Sequence, residues 1–336
     1  MALLGTDTFR GKEITDVLEK RRFPFEKIEF FDSDVKEEFS KLTEFQGEPR
    51  VILPLDKSAI TDSDVVFLAA DDRTNLEYGK LAAKANYLAI DLNETFNEQK
   101  EVPLVVAGVN HDIIRKKRPS LIANPHSVTI ILSHLFHVLL RKFNLKSAVA
   151  FVLQPVSAFD NPGIQELADQ SFAVLRGESV SRNIFKTQIA FNLLSPAEDM
   201  DKNGFSSMEK QILAEVSRVI SAKDFPLSIS IIQAPVFHTY SIMVHLELEE
   251  KPAIQTIENL FKKSSYFRVS PPSAFCSVSS VLVAGKDEIF IGQIKREESH
   301  PNRFWIWSVT DNLTRGSALN AFEILQNSHL FVSSKK

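Results

Sequence analysis

The stretch ALLGTDTFRGKEITDVLEKRRFPFEKIEFF, residues 2–31, decides the fold. Ala2 to Leu4 is a short apolar run that enters a turn at Gly5. Lys12 to Arg21 is amphipathic with helical spacing, and Lys27 to Phe31 is an apolar, aromatic run of strand type. The order is strand, helix, strand. It recurs downstream, with Asp64 to Ala69 (DVVFLA) as a buried strand, Asn75 to Ala85 as a helix, and Tyr87 to Ile90 and Leu104 to Ala107 as strands. Short apolar strands alternating with helices predict a parallel sheet covered on both faces. Leu121 to Ala123 then enters the loop Asn124-Pro125-His126-Ser127, followed by a strongly apolar helix over Val128 to Phe143. The polar, irregular stretch Ser33 to Arg50 reads as a surface excursion.

From about Ala148 the pattern changes to longer strand-like runs: AVAFVLQPVS, LSISIIQA, SIMVHLELE, EIFIGQI and RFWIWSV. Helices over Ser207 to Ser221 and Ala253 to Lys262 separate them, so a mixed or antiparallel sheet is expected there. Ser317 to Leu330 places Ala318, Ala321, Phe322, Leu325 and Leu330 along one helical face. The fold class is therefore α/β, a Rossmann-type parallel sheet domain joined to an α+β domain with a mixed sheet.

Composition narrows the function. The 336 residues are 44% hydrophobic and 24% charged with a formal net charge of −4, so no cationic excess draws the chain to nucleic acid or to an acidic membrane. No run approaches the roughly 20 apolar residues of a membrane span, and residues 1–14 lack the features of a signal peptide. The single cysteine, Cys276, has no partner for an internal disulfide, and a reducing cytoplasm is the expected compartment. Glycine is scarce, 11 residues or roughly 3% where about 7% is usual, which leaves few backbone cradles for phosphate.

Several motifs carry a resemblance in their order: GTDTFRG at 5–11, VPLVVAGVN at 102–110, IANPHSVT at 122–129, LQPVSA at 153–158, the helix around Glu209, APVFHTYS at 234–241 and DNLTRGSALNA at 311–321. Together they make the chain similar, along nearly its whole length, to aspartate-semialdehyde dehydrogenase, and within that family to degenerate, Usg-like members. The resemblance implies a dinucleotide-binding domain over 1–125 and a substrate and dimerisation domain over 126–316. It also implies a last helix, 317–336, that returns to the first domain, and a homodimer. It implies NADP-dependent reductive dephosphorylation of an acyl phosphate through a cysteine thioester.

Position by position, the residues depart from that chemistry. The family's nucleophile stands in a Pro-Asn-Cys-Ser-Thr pattern, and here the stretch is Pro125-His126-Ser127-Val128-Thr129. Ionising an alcohol, whose pKa lies nearer the roughly 15.7 of water than the about 8.5 of a thiol, needs a strong base. The family's histidine base falls at Tyr240 in Pro235-Val236-Phe237-His238-Thr239-Tyr240-Ser241. A phenol of pKa about 10 is neutral near pH 7 and poorly poised to take a proton. His238, two residues earlier, reads as a surface or hydrogen-bonded histidine beside a strand. Gln154 matches the family's active-site glutamine, and Glu209 falls in the acidic pair that receives the substrate amino group, with Met208 in the other place. Gln211 and Asn97 stand where the phosphate-binding lysine and arginine belong, so the charge-assisted bonds to phosphate are lost.

The dinucleotide loop reads Gly5-Thr6-Asp7-Thr8-Phe9-Arg10-Gly11, with Thr8 in place of the central glycine. Asp32 lies about 20 residues beyond Gly11, the spacing at which an acid holds a ribose hydroxyl. NADP is disfavoured, NAD is the better fit of the two, and a solvated acidic loop is the simpler reading. Asn312, in Asp311-Asn312-Leu313-Thr314-Arg315-Gly316, belongs to a motif that lies near the nicotinamide in the family and equally suits a structural loop; Gly316 and Ser317 read as a turn into an N-capped helix. Ser127 reads as a helix N-cap, since no Gly-x-Ser-x-Gly elbow surrounds it. His134 and His137 share a helix without a third ligand, so no metal site is expected. Cys276 reads as a small apolar filler, and Arg115 to Arg118 as a solvated basic turn.

The function expected from these residues is a catalytically degenerate homologue, a noncatalytic dimer that binds a small molecule or a heteromeric partner, with no intact catalytic set. The alternative is an NAD(P)-linked oxidoreductase acting on an aldehyde or acyl phosphate with low or altered activity.

Overall fold

The computed structural model describes residues 1–37, 39–195, 200–271, 278–328 and 330. Its contacts divide the chain into two units, one of residues 1–130 and 316–336, the other of residues 131–315.

The first unit begins β1 (Ala2–Leu4), α1 (Phe9–Lys20), β2 (Glu29–Asp32), as residues 2–31 predict. It continues β3 (Leu42–Phe45), β4 (Glu48–Pro54), α2 (Lys57–Thr61), β5 (Val65–Leu68), α3 (Asp72–Ala85), β6 (Leu88–Asp91), α4 (Asp112–Lys117) and β7 (Leu121–Ala123). The start of α5 (Ser127–Leu140) closes this part of the chain. The sheet runs β3-β4-β2-β1-β5-β6-β7, parallel except for β3. Strand order reverses between β1 and β5, where an open α/β sheet leaves a crevice at its carboxyl edge. Leu3, Phe30, Phe67 and Ile90 are buried on strands covered from both sides, which is why these strands read as unbroken apolar runs.

Three expectations change here. The excursion over 33–50 contains a hairpin, β3 against β4, whose Phe45 is buried against Phe25 and Phe30; the remaining residues of β3 are polar or exposed, so alternation is faint. Leu104 to Ala107 is not a strand beyond a single bridge from Leu104 to Ala123. Its backbone is bonded to side-chain amides: Asn320 Nδ2 donates to the Val105 carbonyl, Ala107 N–H donates to Asn320 Oδ1, and Val106 N–H donates to Asn110 Oδ1. The end of the chain enters α10 (Leu319–Gln326) from a π-turn over Thr314–Ala318, so Ser317 is not a cap. α10 packs in the core of this unit, with Phe322 edge-on to Phe23 at 5.4 Å.

The second unit takes up the rest of α5 and holds β8 (Leu145–Gln154), a 3-10 turn (Val156–Phe159), α6 (Asp160–Arg176), α7 (Ser207–Ile220) and β9 (Leu227–Gln233). β10 (Tyr240–Leu248), α8 (Ile254–Lys262), β11 (Phe267–Val269), α9 (Ser280–Val283), β12 (Ile289–Arg296) and β13 (Arg303–Thr310) follow. The sheet order is β11-β12-β13-β10-β8-β9, with parallel pairs at both edges and antiparallel pairs between. This is the mixed sheet expected. Ala150, Val152, Ile242, Val244 and Ile306 face inward, whereas Val149, Phe151 and Trp305 lie on the opposite, exposed face. α6 has no counterpart in the sequence reading. No helix among the described residues is long and apolar enough to cross a membrane.

Candidate functional site

The loop after β1 turns at Gly5, whose φ is +83° and where a Cβ would lie 2.5 Å from the Ala69 backbone. At Gly11 a Cβ would lie 2.1 Å from the Gly5 carbonyl oxygen. These are the tight-turn and helix-packing glycines of a dinucleotide loop, and both are necessary here. Thr8, at the middle position, is the N-cap of α1. Its Oγ1 accepts the Gly11 N–H at 3.0 Å and donates to the Gly5 carbonyl at 2.7 Å. Asp32 is similarly engaged: Oδ2 accepts the Asp7 N–H at 3.2 Å and Oδ1 the Ser33 N–H at 2.8 Å. Lys41 Nζ bridges Asp7 and Asp34 at 3.1 and 2.6 Å, and these bonds, Asp34's first, raise its ammonium above the ordinary range. A diphosphate at a helix N-terminus uses bare backbone donors. This loop presents a carboxylate and a capped N–H in their place, so the residues present do not fit one.

In the loop before α5, Asn124 is held through its Oδ1 by Asn320 Nδ2 at 2.8 Å. Ser127 is the first helical residue, not the cap. His126 caps instead, its Nδ1 accepting the Val128 N–H at 3.1 Å. A nitrogen that accepts is unprotonated, so a neutral His126 carries its proton on Nε2 and does not offer Nδ1 as a base. Ser127 is partly exposed, while His126 and Asn124 are buried.

In the second unit, Gln154 ends β8 and Gln233 ends β9, and the two are register partners in the parallel pair. Both are buried and both line a cavity of about 160 Å³, with Phe159, Phe185, Met208 and Ile231 among its apolar walls. Gln233 was not singled out by sequence reasoning. Its signal is that both strands end in an apolar pair, Gln, then a small or cyclic residue (VLQP and IIQA), an odd place for a buried amide.

Glu209 does not offer a free carboxylate. It forms a capping box at the start of α7, with Oε2 accepting the Ser206 N–H at 2.8 Å, and its Oε1 accepts the Ile231 N–H at 2.9 Å. Gln211 donates to Glu215 Oε1, one turn along the same helix. Tyr240 is buried at the start of β10 opposite Thr310, and His238 has a shielded Nδ1 without a partner. Asn312 ties together the Thr239 N–H and the Ser157 hydroxyl, and Asp311 accepts the Leu313, Thr314 and Gly285 N–H groups. Glu209 and Asn312 thus sit in hydrogen-bonded structural positions.

Among the described residues no three histidine, cysteine or acidic side chains are placed to hold a metal. His134 stacks on Tyr266 at 4.2 Å, and burial first, then Arg315, keep its imidazole well below its ordinary pKa. Cys276 lies outside the described residues. Arg115, Lys116 and Lys117 form the last turn of α4, where the helix dipole favours cations.

An open parallel sheet with a glycine turn at its switch point, followed by a unit built on a mixed sheet, defines a two-unit protein of the α/β class with a Rossmann-like first unit. The chain belongs to the semialdehyde dehydrogenase family: residues 1–117 match its NAD binding domain and residues 137–315 its dimerisation domain. It is 28% identical over 328 residues to the aspartate-semialdehyde dehydrogenase of Rickettsia bellii, covering 97% of this chain and 96% of that one. Its fold matches aspartate semialdehyde dehydrogenase II of Vibrio cholerae, solved in complex with ASA, with a TM-score of 0.91 at 24% identity, over 97% and 96% of the two chains. A probable aspartate-semialdehyde dehydrogenase of Pseudomonas aeruginosa matches with a TM-score of 0.91 at 25% identity, over 98% of each chain.

Proposed function

We propose that this chain is a catalytically degenerate member of its family, a dimeric ligand-binding or interaction protein that does not carry out reductive dephosphorylation of an acyl phosphate. The observation that carries the reading is the state of the positions that chemistry requires. Ser127 stands at the nucleophile position, its neighbour His126 commits Nδ1 to the Val128 N–H, and a buried phenol, Tyr240, stands at the base position. Near neutral pH an alcohol is a far weaker nucleophile than the thiolate that this chemistry uses. The engaged Thr8 and Asp32 in the first unit support the same reading.

Support for the dimer comes from the exposed face of the second sheet. Register aligns Phe151, Met243 and Trp307 across β8, β10 and β13, and Val149, His245 and Trp305 in the next row. Val149 is 48% and Phe151 44% exposed, an apolar face of the kind that marks a protein interface, within a segment matching a dimerisation domain.

A second reading, a low-activity NAD(P)-linked oxidoreductase, draws on relatives that carry the dehydrogenase name along 97% of this chain. The decisive experiment follows nicotinamide absorbance with aspartate semialdehyde and phosphate, using both NAD and NADP. Degeneracy expects no turnover above buffer. Turnover that disappears in Ser127→Ala overturns it.

A further inference from the structure

We infer that Asn203 is a site of spontaneous covalent modification: its carboxamide is lost to the neighbouring backbone nitrogen, and the isoaspartyl product opens the turn from which α7 starts. This change needs no ligand and does not depend on the reading of degeneracy.

The reactive pair is written in the sequence. Asn203-Gly204 is the only place in the chain where glycine follows asparagine. The reaction requires the nitrogen of the following residue to reach the asparagine Cγ, and a side chain on that residue obstructs the approach. Glycine has none. A Cβ built at Gly204 meets nothing within 4 Å, so open space surrounds this peptide, and its φ of +82° lies where glycine is relaxed and other residues are not.

The fold leaves the carboxamide available. Lys202, Asn203 and Gly204 are all exposed. Among the described residues the Asn203 side chain makes no hydrogen bond, whereas the amides of Asn75 and Asn320 donate to backbone carbonyls and Asn124 accepts from Asn320. Those three are held in place, and Asn203 is not.

One contact opposes the reaction. The Gly204 N–H donates to the Asp201 carbonyl at 2.9 Å, and the nitrogen attacks only after giving up that proton. Conversion therefore proceeds through the fraction of molecules in which the turn is open. The turn hangs on a single side chain. Asp201 Oδ1 accepts the Asn203 N–H at 2.9 Å and the Phe205 N–H at 3.0 Å, while the Asp201 N–H donates to the Phe205 carbonyl at 2.9 Å. The bonds from Phe205, then Asn203, hold the Asp201 carboxyl below its ordinary range.

The chemistry balances with water as the only co-reactant. The Gly204 nitrogen bonds to Asn203 Cγ, the Cγ–Nδ2 bond breaks, and the departing NH2 takes the proton from Gly204 to leave as ammonia. Water then opens the resulting cyclic imide at either carbonyl. Breaking the new bond at Cγ gives aspartate, and breaking the original peptide bond routes the chain through Cγ as isoaspartate. Both products carry a carboxylate where a neutral amide stood. Isoaspartate also adds a methylene to the backbone inside a turn of five residues, and the new charge has the sign of Asp201, which already has Lys210 Nζ at 3.5 Å from its Oδ2. Phe205 directly precedes Ser206, the N-cap of α7 and half of its capping box, so a turn broken at 203 reaches the start of that helix.

The test ages the full chain at body temperature in mildly alkaline buffer. Peptide mapping by mass spectrometry resolves aspartyl from isoaspartyl products, and amide hydrogen exchange compares fresh with aged protein. Conversion is expected to concentrate at Asn203, to run roughly tenfold faster in Asp201→Ala, which loses two bonds of the turn, and to slow in Gly204→Ala. Exchange over residues 203–206 is expected to rise in the aged parent and to stay unchanged in aged Asn203→Gln. Conversion at Asn203 no greater than at the other asparagines, an unaltered rate in both Asp201→Ala and Gly204→Ala, or a converted chain that exchanges like the fresh one overturns the proposal. None of these outcomes depends on turnover, which tests the reading of degeneracy separately.

Discussion

The Thr8 hydroxyl accepts the backbone N–H of Gly11 at 3.0 Å, so a side chain fills one of the donors that a dinucleotide loop turns toward phosphate. The cap stabilises the start of α1. Thr8→Ala is expected to lower stability by about 1 kcal/mol, and Thr8→Gly by only a few tenths, because glycine is nearly as good an N-cap. Thermal denaturation of the two variants checks the ranking.

Opening the loop is expected to have a functional effect. The double variant Asp7→Ser, Thr8→Gly removes the carboxylate and restores a bare middle position. Calorimetry with NAD is expected to show binding by the double variant and none by the parent chain, and equal binding by both disproves this account of the loop.

Glu209 gives a third test. Its carboxylate accepts the Ser206 and Ile231 N–H groups inside the protein, so Glu209→Ala leaves two buried donors unpaired. Each such loss costs roughly 1–3 kcal/mol, and denaturant titration is expected to show a drop of at least that size. A residue held only for a ligand shows no such loss when replaced, and stability unchanged on substitution returns Glu209 to the ligand-binding role.

Asp91, at the end of β6, is fully buried, and burial outweighs its bonds from the Phe96 and Asn93 N–H groups, pushing its carboxyl up to about 7. The folded chain then holds a proton that the unfolded chain releases near pH 4. Stability contributed by this group therefore falls as pH rises from about 4 to about 7 and levels off above that. Asp91→Asn is expected to flatten this slope while lowering stability overall, since one N–H loses its acceptor. Unfolding free energies measured from pH 4 to 8 distinguish the two chains.

The dimer has its own test. Phe151→Asp places a charge on the exposed face of the second sheet, where the side chain is 44% exposed and contributes little to the fold. The expected result is a chain of half the parent's mass by light scattering with an unchanged thermal midpoint. A parent that is already monomeric, or a variant that remains dimeric, refutes an interface at this face.

Much of the architecture was legible from local pattern. β1, β5, β6 and β7 are recognisable because strands covered on both sides are apolar throughout, and β8 and β10 because one face alternates with the other. The β3–β4 hairpin was not, because an edge strand that buries only Phe45 leaves almost no period to detect. α6 was hidden by Asn161-Pro162-Gly163, punctuation that resembles a turn. Pro162 falls in the first helical turn, where its missing N–H costs nothing, and Gly163 is required because a Cβ there would lie 2.4 Å from the Val156 carbonyl oxygen. Leu104 to Ala107 misled in the opposite sense: its composition is that of a strand, and Asn320 from the far end of the chain supplies the bonds that a neighbouring strand would have made.

From the string of residues alone came the alternation of strands and helices and the chemical type standing at each key position, a hydroxyl at 127, a phenol at 240 and a β-branched residue at 8. Covalent identity and local periodicity need no folding to be read. Packing was needed to establish which polar groups are already taken: that Glu209 and Asp32 satisfy backbone, that His126 rather than Ser127 caps α5, and that Gln233 donates to the carbonyl of Gln154, 79 positions away. A hydrogen bond belongs to a pair of atoms in space, and such pairs come together only when strand register and helix docking bring distant residues into contact.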